Sequence, residues 1–169
     1  MIAVPGASQF VGAMENGGAI MYFERALLMD PQVSSESDRL NIYDAVAHEM
    51  AHQWFGNLVT MEWWDDLWLN EGYATWMAEK AASTLRSQWN VPLLTVKWPR
   101  EFALQSDASD ATHPIVQRVA SVDAASQAFD SIAYNKGSAV IRMLEASLGE
   151  TGFRDGIRRY MRRYAYDNT

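Results

Sequence analysis

Cysteine is absent from this 169-residue sequence, and its absence restricts the chemistry that the chain can perform. Disulfide bonds and thiolate nucleophiles are excluded, and any zinc site must be built from histidine and carboxylate ligands. The compartment stays open, because proteins without cysteine occur both inside and outside cells.

Basic residues and long apolar runs are also scarce. The 14 Lys and Arg residues face 21 Asp and Glu residues, which gives a formal net charge of −7. This balance argues against nucleic acid or an anionic membrane surface as the main partner. No run of about 18 apolar residues is present, so the sequence predicts no transmembrane segment.

Apolar residues, in contrast, are plentiful enough to build a core. They make up 49% of the sequence, which excludes a chain that is disordered throughout. A chain of this length suits one domain and is short for two. We therefore predict a single domain over residues 1–169.

The order of local patterns predicts an α+β fold that is mainly α. Glycines punctuate short β-prone runs in the first thirty residues, which indicates a short N-terminal region of strands or a hairpin. A long helix is expected after Ser35, with Asp38 completing a capping box and Gly56 as the stop. A second helix is expected to begin near Asn70.

Further helices are predicted in the C-terminal half. Pro92 and Pro99 are expected to break the stretch after the second helix into shorter pieces. Gly149 should close the helix before it, and the arginine-rich segment after Gly149 is interpreted as the solvated face of an amphipathic helix.

The stretch "HEMAH" contains two of the three histidines in the chain. His48 and His52 are four residues apart, so on a helix both imidazoles face one point, where a zinc ion can bind. Glu49 lies about 100° round the helix axis, where a general base can take a proton from an attacking water. By itself this pattern leaves two structural histidines on a helix as an equal alternative.

A third ligand candidate lies downstream in "LWLNEGYATWM". Eighteen residues separate His52 from Glu71, and a carboxylate at the start of the next helix can reach back to the histidines. A His, His, Glu set leaves one coordination position open, which distinguishes catalytic from structural zinc. The alternative for Glu71 is a carboxylate that stabilises a helix N-terminus.

Together with "GAMEN" upstream, the stretches "HEMAHQWFGNLVT" and "WLNEGYA" closely resemble the gluzincin zinc peptidases, and specifically the aminopeptidase N family. Glu15 precedes His48 by 33 positions, a separation similar to the family's. The resemblance covers nearly the whole chain. It implies the core of a thermolysin-like zinc metallopeptidase catalytic domain with one Zn²⁺.

The resemblance also assigns substrate contacts. In relatives, the "GAMEN" stretch is an edge strand whose glutamate grips the free amino terminus of a peptide. Glu15 would then bind the ammonium group, and the backbone at Gly12 and Ala13 would pair with the extended substrate. The alternative is a glycine-rich hairpin with an exposed glutamate.

Two further segments resemble family elements. "FDSIAYNKGSAV" matches the stretch that carries an oxyanion-stabilising tyrosine in relatives, and the matching residue is Tyr134. Ala133 departs from the small hydroxyl residue that many relatives have there. His113 in "THPI" is interpreted as a structural histidine, and Glu79 is considered as a support for a metal ligand.

These inferences predict a zinc-dependent aminopeptidase that hydrolyses the N-terminal peptide bond of peptides with a free amino terminus. Relatives have further domains, so we expect this chain to be a fragment that works with the remaining domains of a parent enzyme. Two alternatives stay open: a thermolysin-like zinc endopeptidase, and a catalytically inert fragment that only binds zinc or peptide.

Overall fold

Short strands at the N-terminus lead into a mainly helical chain, in a computed structural model that describes residues 1–6 and 12–169. This confirms the predicted α+β, mainly α fold class. The first sheet contains β1 (Ile2–Val4), β2 (Ala13–Met14) and β3 (Met21–Phe23). A parallel pair is formed further on by β4 (Val59–Thr60) and β5 (Asp167–Asn168).

The strand β2 lies at the edge of the first sheet, because the strand order is β1-β3-β2. It runs antiparallel to β3, with Ala13 opposite Tyr22, and the Phe23 N–H donates to the Gly12 carbonyl at 3.0 Å. Hydrogen-bonded pairs alternate along an antiparallel ladder. The backbone N–H and C=O of Ala13 therefore point away from β3, towards the open edge.

The rest of the described chain is built mainly from α-helices. They are α1 (Glu36–Ala51), α2 (Leu67–Leu85), α3 (Val91–Thr95), α4 (Glu101–Asp107), α5 (Val122–Gln127), α6 (Gly137–Leu148) and α7 (Glu150–Arg163). None of the helices in this part of the chain is both long and apolar enough to cross a bilayer.

The first helix begins as the sequence predicts and ends earlier. The Ser35 hydroxyl accepts from the Asp38 N–H, and the Asp38 carboxylate accepts from the Ser35 N–H, which completes the capping box. The regular helix stops at Ala51, so the expectation that it extends to Gly56 is wrong. Tight turns take over there, because backbone groups of residues 54–57 bond to β4 and to the His52 carbonyl instead.

The second helix packs against several other elements of the described chain. It begins at Leu67, three residues before the predicted start, and contacts α1 on one side and α6 on the other. Its side chains Tyr73 and Trp76 form a buried cluster with Ile141 of α6 and Phe153 of α7. Packing on several sides makes α2 the element against which the others are positioned.

The prolines interrupt the helices less than the sequence predicts. Pro92 lies in the first turn of α3, where a missing N–H costs nothing. Pro99 lies inside a continuous helical run, in a wide π-type segment, Val96–Arg100. A regular α-helix would bring its ring against the carbonyl four residues earlier, and the wider turn relieves that contact.

The last predictions for the C-terminal half are confirmed. Gly149 ends α6 with a φ of 73°, a conformation that favours glycine. The arginines of α7 are exposed, whereas Phe153 and Met161 on its other side are buried.

A glycine pair allows α2 to approach α6 closely. A Cβ atom added at Gly72 would lie 2.7 Å from the Gly137 carbonyl carbon and 2.9 Å from its Cα. Side chains larger than hydrogen at this crossing would push the helices apart. The approach also sets the position of Ile132–Lys136, the wide helical turn that precedes α6.

We expect Gly72→Ala to lower the free energy of unfolding by about 1–3 kcal/mol, because the added methyl overpacks the crossing of α2 and α6. Gly156→Ala in α7 is the matched control, since its Cβ would meet open space. That control should raise stability by about 0.5–1 kcal/mol through helix propensity. Urea unfolding measures both, and equal effects would contradict the close packing.

Candidate metal centre and active site

The three predicted metal ligands converge in the structure. His48 lies in the last turn of α1, His52 caps its C-terminus, and Glu71 lies in the second turn of α2. The His48 Nε2 atom is 3.0 Å from His52 Nε2 and 3.1 Å from Glu71 Oε2. The His52 Nε2 atom is 3.5 Å from the same carboxylate oxygen.

The chemistry of these donors fits a divalent metal of the zinc type. Two imidazole nitrogens and one carboxylate oxygen face a common point, all within 4.8 Å of one another. The opposite ring nitrogens have other partners: His52 Nδ1 donates to the Phe55 carbonyl at 2.9 Å, and His48 Nδ1 lies 3.4 Å from Thr75 Oγ1. Such partners orient a ring so that Nε2 is left for the metal.

The electrostatics of the cluster favour a bound cation. Burial alone would raise the pKa of Glu71, but hydrogen bonds from His48 and His52 hold it at about 2. Burial alone would likewise lower the pKa of His52, but its hydrogen bond to Glu71 and the negative charge of that carboxylate raise it to about 9. The same buried negative charge would also attract a metal ion.

A second group of possible ligands adjoins the first, formed by Glu15, Glu49 and His52. It is the weaker candidate, because the His52 nitrogen on the Glu15 side is Nδ1, at 3.9 Å from Glu15 Oε1. That nitrogen already donates to the Phe55 carbonyl. The set with Glu71 is therefore the stronger candidate for a metal position.

Glu49 is buried next to the ligands without being one of the converging set. Its side chain is 8% exposed, and its Oε2 atom has no hydrogen-bond partner among the described residues. Burial raises the pKa of Glu49 to about 7, against the opposing effect of His48 and His52. The structure thus contains a buried carboxyl with a free oxygen beside the candidate metal position.

The predicted substrate contacts lie on the other side of this carboxyl. Glu15 follows the end of β2, and one of its carboxylate oxygens is within 4.8 Å of a Glu49 oxygen and a His52 ring nitrogen. Ala13 presents its backbone to the open edge of the sheet. The Gly12 carbonyl instead accepts from the Phe23 N–H, so it points towards β3.

Tyr134 reaches the same centre from the wide turn before α6. Its ring stacks on His48, with centroids 5.8 Å apart and an interplanar angle of 16°. Burial, followed by the charge of Glu71 and a hydrogen bond to it, raises the pKa of Tyr134 far above that of a free phenol. The hydroxyl is therefore a protonated hydrogen-bond donor at neutral pH.

A cavity of about 310 Å³ opens beside these groups. Glu15 and Glu71 form part of its wall, and Met14, Trp64 and Phe129 add apolar surface. A larger groove of about 650 Å³ lies between α2 and α7, but it contains none of the eight predicted site residues. Of these two cavities, the smaller one is lined by predicted site residues.

Two other sequence hypotheses lie away from the cluster. The Glu79 carboxylate bonds to Thr95, Ser138 and Arg142, so it links α2 to its neighbours instead of supporting a ligand. His113 donates to the Asp130 carboxylate at 2.7 Å and to the Pro114 carbonyl at 2.8 Å, which is a structural role.

The sequence interpretation missed several supporting groups. Thr75 is one turn after Glu71 in α2, and this i, i+4 spacing could have revealed it as a partner for His48. Gln53 and Asn57 both donate to the backbone carbonyl of Glu15. No local signal points to that contact, because the partners are about forty residues apart.

The comparisons with known proteins extend over the same residues. The family model described as "Peptidase family M1 domain" matches residues 1–169. The chain belongs to peptidase family M1. This membership confirms the resemblance to the aminopeptidase N family that the three motifs indicate.

Family M1 relatives with curated names are similar over most of this chain. A leucyl aminopeptidase from Saccharolobus solfataricus is 46% identical over 168 residues, which are 99% of this chain and 21% of that protein. Aminopeptidase M1-C from Oryza sativa is 44% identical over 99% of the chain and 19% of its own length. Aminopeptidase N from Oryctolagus cuniculus is 45% identical over 94% of the chain and 17% of its own length. The chain spans about a fifth of the length of these M1 relatives.

The turn after α1 is shaped by Gly56, which has a φ of 130°. A Cβ atom there would lie 2.9 Å from Asn70 Oδ1, 3.2 Å from the His52 carbonyl oxygen and 3.4 Å from His52 Nδ1. The glycine therefore keeps space for the ring of a candidate metal ligand.

We expect Gly56→Ala to weaken the binding of Zn²⁺, used as a probe, by about tenfold or more, because the methyl group displaces the His52 ring and its Phe55 partner. Gly149→Ala is the control, since it creates similar backbone strain with no atom within 4 Å of the new Cβ. Competition with a chromophoric chelator measures both affinities. Equal affinities in the two variants would contradict the role of Gly56.

Proposed function

We propose that this chain is the single-domain core of the thermolysin-like catalytic domain of a zinc aminopeptidase. It would hydrolyse the N-terminal peptide bond of peptides that have a free amino terminus. The observation that carries the proposal is the position of Glu15, a carboxylate at the end of an edge strand, beside both Glu49 and the candidate metal ligands.

One zinc ion would be held by the Nε2 atoms of His48 and His52 and by the carboxylate of Glu71. When bound, zinc acts as a Lewis acid that polarises a carbonyl group and makes water more acidic. The partners of the two Nδ1 atoms support this ligand set, because they leave both Nε2 atoms free for the metal.

Glu49 would act as the general base and then as the general acid. Its unpartnered Oε2 atom is free to accept a proton from the attacking water. The same carboxyl would pass that proton to the nitrogen of the leaving peptide, which must be protonated to depart as an amine. Its position next to His48 in α1 holds it beside the metal without coordination.

Tyr134 would donate its hydroxyl hydrogen to the oxyanion of the tetrahedral intermediate. The hydroxyl stays protonated in its buried position near Glu71, and the stacked His48 ring fixes its direction. A preorganised donor of this kind stabilises charge that develops only in the transition state.

Glu15 would bind the substrate's ammonium group by a charge-assisted hydrogen bond. The outward backbone of Ala13 would accept the extended peptide as an added strand, which holds a substrate without reading its sequence. An amine bound at Glu15, beside the candidate metal ligands, would leave space for one residue before the scissile bond. Cleavage would therefore release single N-terminal residues.

The relatives support this function and a larger parent. Those compared above carry the name aminopeptidase, and each is about five times as long as this chain. We propose that the chain functions as part of a longer enzyme, whose remaining domains are its partners. The turnover experiments below therefore use that intact enzyme, and the binding experiments use the purified chain.

The general-base role predicts a separation of metal binding from turnover. Glu49→Gln should retain about one zinc per chain, since residue 49 is not a ligand, while turnover falls by about 10²–10⁴. Elemental analysis measures the metal, and hydrolysis of a fluorogenic amide measures turnover. Absence of zinc from the unaltered chain would contradict the ligand assignment.

The amine anchor predicts discrimination between free and blocked substrates. A peptide with a free amino terminus should be cleaved at least about 10²-fold faster than its N-acetyl derivative, because acetylation removes the charge that Glu15 binds. Mass spectrometry of the products identifies the bond that is cut. Equal rates for the two peptides would indicate an endopeptidase.

The oxyanion role predicts a specific loss for Tyr134→Phe. The variant should reduce kcat by about 10²–10³ with little change in KM, because only the transition state uses the hydroxyl. Tyr166→Phe is the control, since that side chain is 90% exposed. A rise in KM without a change in kcat would instead indicate a substrate-binding role for Tyr134.

A further inference from the structure

The backbone carbonyl of Glu15 is held by two side-chain amides. Asn57 Nδ2 donates to it at 2.8 Å, and Gln53 Nε2 donates to it at 3.2 Å. A carbonyl oxygen has two lone pairs, so both hydrogen bonds can form together. These amides come from residues about forty positions away in sequence.

Glu15 depends on these contacts because the sheet does not hold it. The paired part of β2 ends at Met14, opposite Met21. Among the backbone–backbone hydrogen bonds of residues 1–6 and 12–169, none uses the Glu15 carbonyl. By the alternation along the ladder, the Glu15 carbonyl would point away from β3 even in a longer strand, and the two amides bond to it instead.

Gln53 and Asn57 also donate to backbone carbonyls of the candidate catalytic groups. Gln53 Nε2 also donates to the Glu49 carbonyl at 3.2 Å. The backbone N–H of Asn57 donates to the His52 carbonyl at 2.9 Å. A short hydrogen-bonded path thus joins the backbone of the proposed amine anchor to the backbones of the proposed base and of one metal ligand.

We propose that Gln53 and Asn57 are positioning residues that set the separation between the Glu15 anchor and the metal-bearing end of α1. This inference rests on the proposed aminopeptidase function. The amine and the scissile carbonyl of a substrate are separated by a fixed distance. The protein must therefore hold Glu15 at a matching distance from the metal, and a displacement of about 1 Å can cost about 10²-fold in rate.

The test replaces each amide by an apolar side chain of similar size, in Gln53→Met and Asn57→Leu. The zinc-loaded chain is titrated by calorimetry with leucinamide, which has a free amine, and with N-acetyl-leucinamide. Loss of one hydrogen bond to the anchor should weaken leucinamide binding by about 3- to 10-fold. Binding of the acetylated compound and of zinc should stay unchanged.

Two matched substitutions control for the loss of an amide elsewhere. Asn41→Leu changes an exposed position on α1, and Gln105→Met changes an exposed position on α4. Both should leave leucinamide binding unchanged. If Asn57→Leu fails to fold, Asn57→Asp provides the same test, because it keeps the size of the side chain and removes the donor.

A double-mutant cycle with Glu15→Gln distinguishes positioning from a general structural role. If the amides act through Glu15, Asn57→Leu should add less than about twofold to the loss that Glu15→Gln already causes. Additive losses, or weakened zinc binding in the amide variants, would contradict the positioning role of Gln53 and Asn57 but not the proposed aminopeptidase function. An unchanged leucinamide affinity in Glu15→Gln would overturn the amine anchor itself and, with it, this inference.

In the intact enzyme the same variants should raise KM for a peptide with a free amine and lower kcat as well, because the amine and the scissile bond are displaced together. Gln53→Asn keeps an amide on a shorter side chain. Its affinity for leucinamide should lie between those of the wild type and Gln53→Met. Equal affinities for Gln53→Asn and Gln53→Met would contradict the role of the Gln53 donor.

Discussion

The contact between His48 of α1 and Glu71 of α2 is the interaction on which the candidate site depends. It joins the two helices at their buried faces, with the His48 Nε2 and Glu71 Oε2 atoms 3.1 Å apart. Helix α2 is also packed on its other side, where it contacts α6. There Gly72 approaches Gly137 closely, next to the turn that carries Tyr134. The Tyr134 ring stacks on the His48 ring.

The candidate site therefore has two parts, one on packed helices and one beside a short edge strand. Glu71 lies on α2, whose Tyr73 and Trp76 belong to the buried cluster, while His48 and Glu49 lie on α1, which packs against α2. Glu15 directly follows the two-residue strand β2, and its backbone is connected to the helical part of the site by the amides of Gln53 and Asn57. This arrangement separates the proposed catalytic groups, which lie on packed helices, from the proposed amine anchor, which a few hydrogen bonds position.

Sequence patterns predict well those features that depend on neighbours along the chain. The spacing of His48 and His52 places both rings on one helix face, and the Ser35 capping box marks the start of that helix. The same reasoning fails where distant groups compete for the backbone. The end of α1 at Ala51 depends on hydrogen bonds to β4, and the helical path through Pro99 depends on a widened turn.

The sequence by itself determined the residue types of the candidate metal centre, their order and the mainly helical fold. Motif spacing is enough for this, because helical geometry relates neighbours three and four residues apart. Only the tertiary structure decided which groups meet. It placed Thr75 and the Phe55 carbonyl behind the ligands, directed Glu79 to Arg142, and joined Gln53 and Asn57 to Glu15. These contacts link residues on different elements, whose approach is set by packing in the core and by the space that Gly56 and Gly72 leave.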